Sequence, residues 1–366
     1  MFLKKRKRIG LLTGGGDCPG LNAVIRGVVK ASISQYNIEV IGFEDGYEGL
    51  ISRSTLVLDW NRVSGILTQG GTILGTSNRT NPFRWPIDKK NDKMIFVDIS
   101  DQAVAYINEL DLDSLICIGG DGTMAIADQL SRKGIHIVGV PKTIDNDIWG
   151  TDITFGFNSA MSIATEAVDR IHTTAMSHHR VMIIEVMGRY AGWLALESGI
   201  AGGGDVILIP EIPYHIDNIC ETIVKRSKKG RRFSIIVVAE GAKPEGGKQV
   251  VQRIVKESTD PIRLGGISHI LAEEIETYTG LETRVTILGH LQRGGTPTPF
   301  DRILATQLGV KAAELCQNEM SGLMVAVHGS DITTVPLREI GGKTRLVEMN
   351  HPLIDVAKRV GTCLGE

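Results

Sequence analysis

Short apolar runs alternate with stretches of helical period along most of the chain. Residues 9–13, 38–43, 115–119, 135–140, 181–186, 206–210, 234–239, 284–288 and 323–328 have strand length, and several are apolar almost throughout. Strands apolar on both sides belong in sheets covered on both faces, the situation of parallel sheets. Between them, residues 21–32, 102–110, 124–132, 158–174, 191–199 and 300–316 carry helix-like patterns. Strand–helix alternation of this kind predicts an α/β protein of two similar three-layer domains with mainly parallel sheets. No low-complexity linker separates them, so an extensive shared interface is expected.

The length of 366 residues allows two domains at roughly 150 residues each. A net charge of -2, from 40 Lys+Arg against 42 Asp+Glu, argues against gripping nucleic acid by bulk charge. The cysteines Cys18, Cys117, Cys220, Cys316 and Cys363 form no CxxC pair, which suits reduced thiols in the cytoplasm. No apolar run is long enough for a membrane span. The basic run Lys4-Lys5-Arg6-Lys7-Arg8 leads straight into a strand and reads as a solvated lead-in, not a signal peptide. Glycine is the outlier at 43 residues, which points to tight turns or close backbone approach to a ligand.

In open α/β folds ligands gather at the carboxyl ends of strands. Polar or Gly-rich loops stand there: Gly14-Gly15-Gly16-Asp17-Cys18-Pro19-Gly20 after the first strand candidate, Gly119-Gly120-Asp121-Gly122-Thr123 after the third, residues 141–147 after the fourth, Gly188-Arg189 after the fifth and residues 289–295 after the eighth. A Gly-rich turn ahead of a helix N-terminus is an anion site. It is not a dinucleotide fingerprint, because Pro19 stands where the third glycine belongs. Nor is Gly342-Lys343-Thr344 a Walker loop, since Leu337 occupies the place of the leading glycine.

Two loops add acids. Asp121 suits either a Mg²⁺ ion or the cap of the following helix. Thr143-Ile144-Asp145-Asn146-Asp147 puts two carboxylates on one side of the chain if the backbone is extended. Like charges so close need a metal or a proton between them, unless the stretch is only an Asx-rich turn. One acid as base near a sugar hydroxyl and another supporting a metal-bound phosphoryl donor make a kinase site. Arg180, Arg189, Arg284, His290 and Arg293 all fall at strand ends, and as a set they indicate a phosphorylated small molecule.

In order and spacing, Gly15-Gly16-Asp17-Cys18-Pro19-Gly20-Leu21-Asn22, Gly119-Gly120-Asp121-Gly122-Thr123, residues 141–147, Met187-Gly188-Arg189 and residues 288–293 resemble the 6-phosphofructokinase family of the bacterial type, over nearly the whole chain. NAD kinases and lipid kinases share the Gly-Gly-Asp-Gly-Thr stretch but lack the 143–147 motif. The resemblance implies the phosphofructokinase fold, with residues 1–156 plus about 292–330 as the donor domain and residues 157–291 plus the C-terminal segment as the fructose 6-phosphate domain. It implies phosphoryl transfer from ATP-Mg²⁺ to the 1-hydroxyl of fructose 6-phosphate, in cytoplasmic glycolysis. Asp145 then resembles the base, Asp121 the Mg²⁺ ligand, and Asp147 a support for metal or substrate. Thr143 resembles a contact to the sugar or the transferred group, and the Gly15 N–H a donor to the γ-phosphoryl. Arg79, Gly120, Asp121, Gly122 and Thr123 match nucleotide positions. Met187, Gly188, Arg189 and Glu240 match sugar positions. Arg180, Arg284, His290 and Arg293 match 6-phosphate or sugar contacts. In the family the counterparts of Arg180 and Arg284 come from a neighbouring subunit, which implies a homotetramer, sometimes a homodimer, with shared sites. Neither nucleic acid nor membrane is an expected partner.

Pyrophosphate-using members of the family carry Asp in place of Gly122 and Lys in place of Lys142, so this chain has one determinant of each kind. An Asp at 122 would crowd and repel an α-phosphate, whereas Gly leaves room. That selects ATP, with pyrophosphate or ADP as the alternative donor to the same acceptor. Where many members place an arginine on the transferring phosphates, this chain offers Asn78 or Arg79. Arg26 and Lys30 are compatible with an allosteric nucleotide between subunits. Asp205 replaces the usual Glu, which counts against control by ADP or phosphoenolpyruvate. A regulatory protein on a decayed kinase scaffold conflicts with the presence of Asp145 and Asp121, and a Rossmann oxidoreductase with the broken fingerprint. Residues 333–366 carry no readable motif.

Overall fold

The computed structural model describes residues 6–90, 93–254 and 262–366. Lys4 and Lys5 of the basic lead-in lie outside the described residues. Its remaining cations are tethered: Arg6 Nε donates to the Asn37 carbonyl at 3.0 Å and Lys7 pairs with Glu319 at 2.8 Å.

Every strand candidate forms, and together they make two sheets. The larger runs in the order Asp331–Pro336, Leu323–His328, Ile137–Thr143, Ser114–Gly119, Arg8–Thr13, Glu39–Phe43, Thr55–Val57, with the short Phe155–Gly156 beside Ile137–Thr143. Its inner pairings are parallel and its two outermost are antiparallel. The smaller sheet, Val206–Leu208, Ser234–Ala239, Val181–Val186, Thr283–Ile287, is parallel throughout. Strands Ser114–Gly119, Val181–Val186 and Ser234–Ala239 are buried at every position, as their unbroken apolar character requires.

Helices cover both faces of each sheet. Leu21–Tyr36 and Pro299–Gln317 lie together on one face of the larger sheet. They meet closely because Gly27 faces the Thr306 backbone and Gly309 faces the Val24 carbonyl, where a Cβ would collide. Asp121–Arg132 and Ser100–Glu109 cover the other face. One continuous core runs from Ile9 and Val140 through Phe155 and Phe157 to Val186 and Leu196, so the two sheets share their interior, as the lack of a linker predicted. Edge strands Thr55–Val57 and Asp331–Pro336, the antiparallel pair Trp85–Lys90 and Lys93–Val97, and helices Ile216–Lys228 and Ile267–Thr279 lack a pattern strong enough to predict them.

The C-terminal segment binds the two halves. Asp331–Pro336 extends the larger sheet, so the expected end of the first domain near residue 330 falls short. Leu337 and Ile340 are buried beneath that sheet. The chain then crosses beside Asp147 and Ile148, and Val347 N–H reaches Glu211 at 2.9 Å. After helix Pro352–Arg359, Cys363 joins the edge of the smaller sheet beside Val206.

Candidate active site

The carboxyl ends of strands from both sheets open into one cavity of about 650 Å³. Each of the five loops picked out in the sequence contributes to its wall. Gly15, Gly16 and Asp17 come from the first loop. Gly15 has φ 80°, a left-handed conformation that glycine adopts without strain. Its N–H donates to the Ser77 carbonyl at 3.0 Å, and Thr76 Oγ1 donates back to the Gly15 carbonyl at 2.6 Å. The Gly15 N–H expected to serve a phosphoryl group is therefore bonded within the chain in this structure. The same pairing holds segment 76–80 against the loop, and both Asn78 and Arg79 line the cavity.

The second loop brings Gly120, Asp121, Gly122 and Thr123 to the N-terminus of helix Asp121–Arg132, where exposed N–H groups favour anions. Asp121 is not the cap of this helix. Gly120 holds the cap position and makes no side-chain cap bond. The Asp121 carboxylate accepts the N–H of Gly342, while its buried Oδ1 has no partner. Burial raises its pKa, and neighbouring Asp147 raises it further. At Gly122 an added Cβ would meet nothing within 4 Å. Tyr47, buried beside this loop, anchors it by donating its hydroxyl to the Thr123 carbonyl at 2.8 Å.

The third loop reaches the cavity by a different route from strand alternation. Strand Ile137–Thr143 ends at Thr143, and Asn146 is left-handed with φ 52°. Its buried side chain turns inward, and Oδ1 accepts the Thr154 N–H at 3.0 Å. Asp145 and Asp147 on either side of it therefore both face the cavity. The Thr143 hydroxyl braces the pair, accepting the Asp145 N–H at 3.1 Å and donating to the Asp147 carboxylate. Burial is the main cause that pushes the Asp145 pKa up to about 7, and Asp147 adds to it against the pull of Arg293, Lys142 and Arg189. Asp147 is raised too, chiefly by burial. The Asp145 Oδ1 is buried without a hydrogen-bond partner.

Cations surround these acids. Lys142 is buried, donates to the Gly16 carbonyl, and has its pKa lowered first by burial. The Arg293 guanidinium packs on Gly16, where any Cβ would strike it. Arg189 and His290 complete the wall on the side of the smaller sheet. Glu240 stands there too, its pKa pushed up to about 7 by burial, then by Asp145 and Glu185. Met187 lines the cavity, whereas Gly188, with φ 133°, is the bend that turns Arg189 toward it. An acid poised near neutrality, a second acid with an unpaired oxygen, and a cationic wall in one cleft suit phosphoryl transfer onto a hydroxyl.

The phosphofructokinase family model matches residues 8–316. The chain belongs to the phosphofructokinase family. It is 53% identical over 97% of its length, and 97% of the relative's, to the ATP-dependent 6-phosphofructokinase 2 of Clostridium perfringens. It is also 49% identical, over 94% of this chain and 97% of the other, to the pyrophosphate--fructose 6-phosphate 1-phosphotransferase of Amycolatopsis mediterranei. Among solved structures it resembles the phosphofructokinase of Pichia pastoris in the T-state, with TM-score 0.77 and 35% identity, covering 92% of this chain and 36% of that longer one.

Two cations matched to family positions, Arg180 and Arg284, do not line the cavity. Arg180 and Arg284 stand at the amino ends of strands Val181–Val186 and Thr283–Ile287, whereas Arg189, His290 and Arg293 follow carboxyl ends. The five cations therefore do not share one kind of strand end. Arg180 and Arg284 both pair with Glu282 instead, Arg180 at 2.7 Å. Asp205 is likewise committed, to Arg226 at 2.7 Å and the Ile235 N–H at 2.9 Å, and Lys30 lies 3.9 Å over the Trp60 ring. The cavity also includes Ser77, Thr80, Ile126, Gln252, Arg253 and Leu264, which no motif marked. Ser77 adjoins the Asn78–Arg79 pair and was within reach of the same reasoning. Gln252 and Arg253 come from a two-stranded antiparallel pair without sequence signal.

Proposed function

We propose that the chain transfers the γ-phosphoryl group of ATP to the 1-hydroxyl of fructose 6-phosphate, giving fructose 1,6-bisphosphate and ADP. The observation that carries this reading is the Asp145–Asp147 pair in one cavity with Asp121 and with Lys142, Arg189 and Arg293. Asp145 accepts the hydroxyl proton. The freed oxygen bonds to the γ-phosphorus, the bond from that phosphorus to the β–γ bridging oxygen breaks, and ADP departs. A pKa of about 7 lets the carboxylate be present at neutral pH and still hold a proton well. Lys142, Arg79 and the N-terminus of helix Asp121–Arg132 carry the negative charge of the donor. Arg189, His290 and Arg293 hold the sugar phosphate, with Met187, Gly188 and Glu240 along the ring and Thr143 keeping the acids in place.

The residues present fit a Mg²⁺ ion. The buried Asp121 Oδ1 lacks a partner, and one carboxylate suits a metal that keeps waters and takes phosphate oxygens as its other ligands. When bound, Mg²⁺ supplies charge neutralisation at the donor phosphates. Asp121 would hold it and Asp147 would support it.

The Amycolatopsis relative indicates that overall identity does not fix the donor. The open space at Gly122 supports ATP, since a carboxylate there would meet the α-phosphate. Arg180 and Arg284, which do not line their own cavity, support sites completed by a neighbouring copy in a homotetramer or homodimer. The reading places the protein in cytoplasmic glycolysis, and no helix among the described residues is long and apolar enough to cross a membrane. With γ-labelled ATP, label should arrive at the 1-position, and 1-deoxyfructose 6-phosphate should compete without accepting it. Label elsewhere, or none transferred, refutes the reading.

A further inference from the structure

The C-terminal segment carried no motif, yet residues 342–347 lie against the acids of the cavity. Gly342 donates its N–H to Asp121. Thr344 bridges Ile148 antiparallel, and Arg345 N–H donates to the Asp147 carbonyl at 2.8 Å. The Arg345 side chain reaches further back, and Nη1 donates to the Asn146 carbonyl at 3.0 Å. Its guanidinium stacks 4.1 Å over the Trp193 ring, and its own carbonyl accepts the Trp193 indole N–H at 3.0 Å. Arg345 thus links the loop of the two acids to helix Trp193–Ala201 of the smaller sheet. Asn146 is left-handed, a conformation Asn tolerates better than most L-residues and one that its surroundings here help to hold. Its side chain is held by Thr154, and its carbonyl by Arg345.

We propose that Arg345 is a positioning residue for phosphoryl transfer: by fixing the Asn146 and Asp147 carbonyls it keeps the carboxylates on either side of Asn146 aimed into the cavity. This rests on the assignment of Asp145 as base. Arg345 does not line the cavity, so its loss should lower kcat and leave substrate binding nearly intact. Arg345→Met keeps a long side chain for the Trp193 stack and removes the donor. Arg345→Lys restores one donor.

Two readouts test it, on the full chain. Arg345→Met should lower kcat about 10- to 100-fold, with KM for fructose 6-phosphate within about twofold of the parent, the order of effect that loss of one charge-assisted hydrogen bond commonly has. Arg345→Lys should recover most of the loss. Hydrogen–deuterium exchange across residues 144–154 should quicken in the Met variant and return toward the parent in the Lys variant, a readout independent of turnover. Unchanged exchange in the Met variant overturns the proposal whatever the activity. So does a loss confined to KM, or a Lys variant no better than Met. If the parent itself fails to phosphorylate fructose 6-phosphate, the proposed function falls, while the exchange data still report on Arg345.

Discussion

Replacing Asp145 with Asn should weaken the enzyme and strengthen the fold at once. The buried carboxyl has its pKa raised from 3.8 to about 7, mainly by loss of water and then by Asp147. The folded state therefore prefers the protonated acid. The penalty for ionisation is absent below the unfolded value, grows through the interval, and is complete above about 7. At about 1.36 kcal/mol per unit, the rise from 3.8 to about 7 amounts to roughly 4 kcal/mol at pH 8 and less than half of that at pH 5. Asn has nearly the same shape and no charge, so it removes that penalty. The variant should melt a few degrees above the parent at pH 8, with a smaller gain at pH 5. Turnover should fall by about 10²–10⁴, the usual contribution of a positioned base. Paired thermal melts at the two pH values and initial rates with saturating ATP and fructose 6-phosphate measure both. A variant that turns over normally removes Asp145 as base. A variant equally or less stable at pH 8 shows that the carboxyl is better solvated or better paired than the structure indicates.

Other outcomes follow from the same site. In the parent, kcat/KM should rise with pH along a limb near pH 7, and Asp147→Asn should move that limb lower by removing the neighbouring charge; a limb that stays put or moves up contradicts the coupling. Gly122→Asp should fold normally into open space, yet lose ATP kcat/KM by between about fivefold and about a thousandfold, as a like charge near 4 Å costs roughly 1–4 kcal/mol between water-like and partly buried surroundings; unchanged ATP use without gain in pyrophosphate use refutes the steric account of the donor. Arg284→Ala should raise KM for fructose 6-phosphate by about 10- to 100-fold through loss of a charge-assisted contact. At fructose 6-phosphate well below the raised KM, co-assembly of that variant with Asp145→Asn should give more activity than either has alone, and no gain rules out sites shared between subunits.

What could be read ahead of the structure follows from burial. The Ser114–Gly119 and Val181–Val186 strands are covered on both faces, so their composition is unambiguous. The Thr55–Val57 and Asp331–Pro336 edges are only half covered and carry polar residues that read equally well as loop. The acids of the third loop were legible as a pair, but not the way they meet. Their common direction comes from the left-handed Asn146, a backbone choice set by its tertiary partners Thr154 and Arg345. Strand polarity separates Arg180 and Arg284, which precede or open their strands, from Arg189 and Arg293, which follow theirs, and only the order of residues within each strand carries that information. The C-terminal segment stayed silent because it acts through backbone bonds and one guanidinium on a carbonyl, contacts that leave no motif. Gly342 stands beside Asp121 although it belongs to no Walker loop.

Phosphoryl transfer from ATP to fructose 6-phosphate in this cleft is tested most directly by formation of fructose 1,6-bisphosphate by the purified chain, with Mg²⁺ and with ATP, ADP or pyrophosphate supplied in turn at equal concentration. Fastest product formation with ATP is the predicted result. No product with ATP, or faster formation with pyrophosphate, contradicts it.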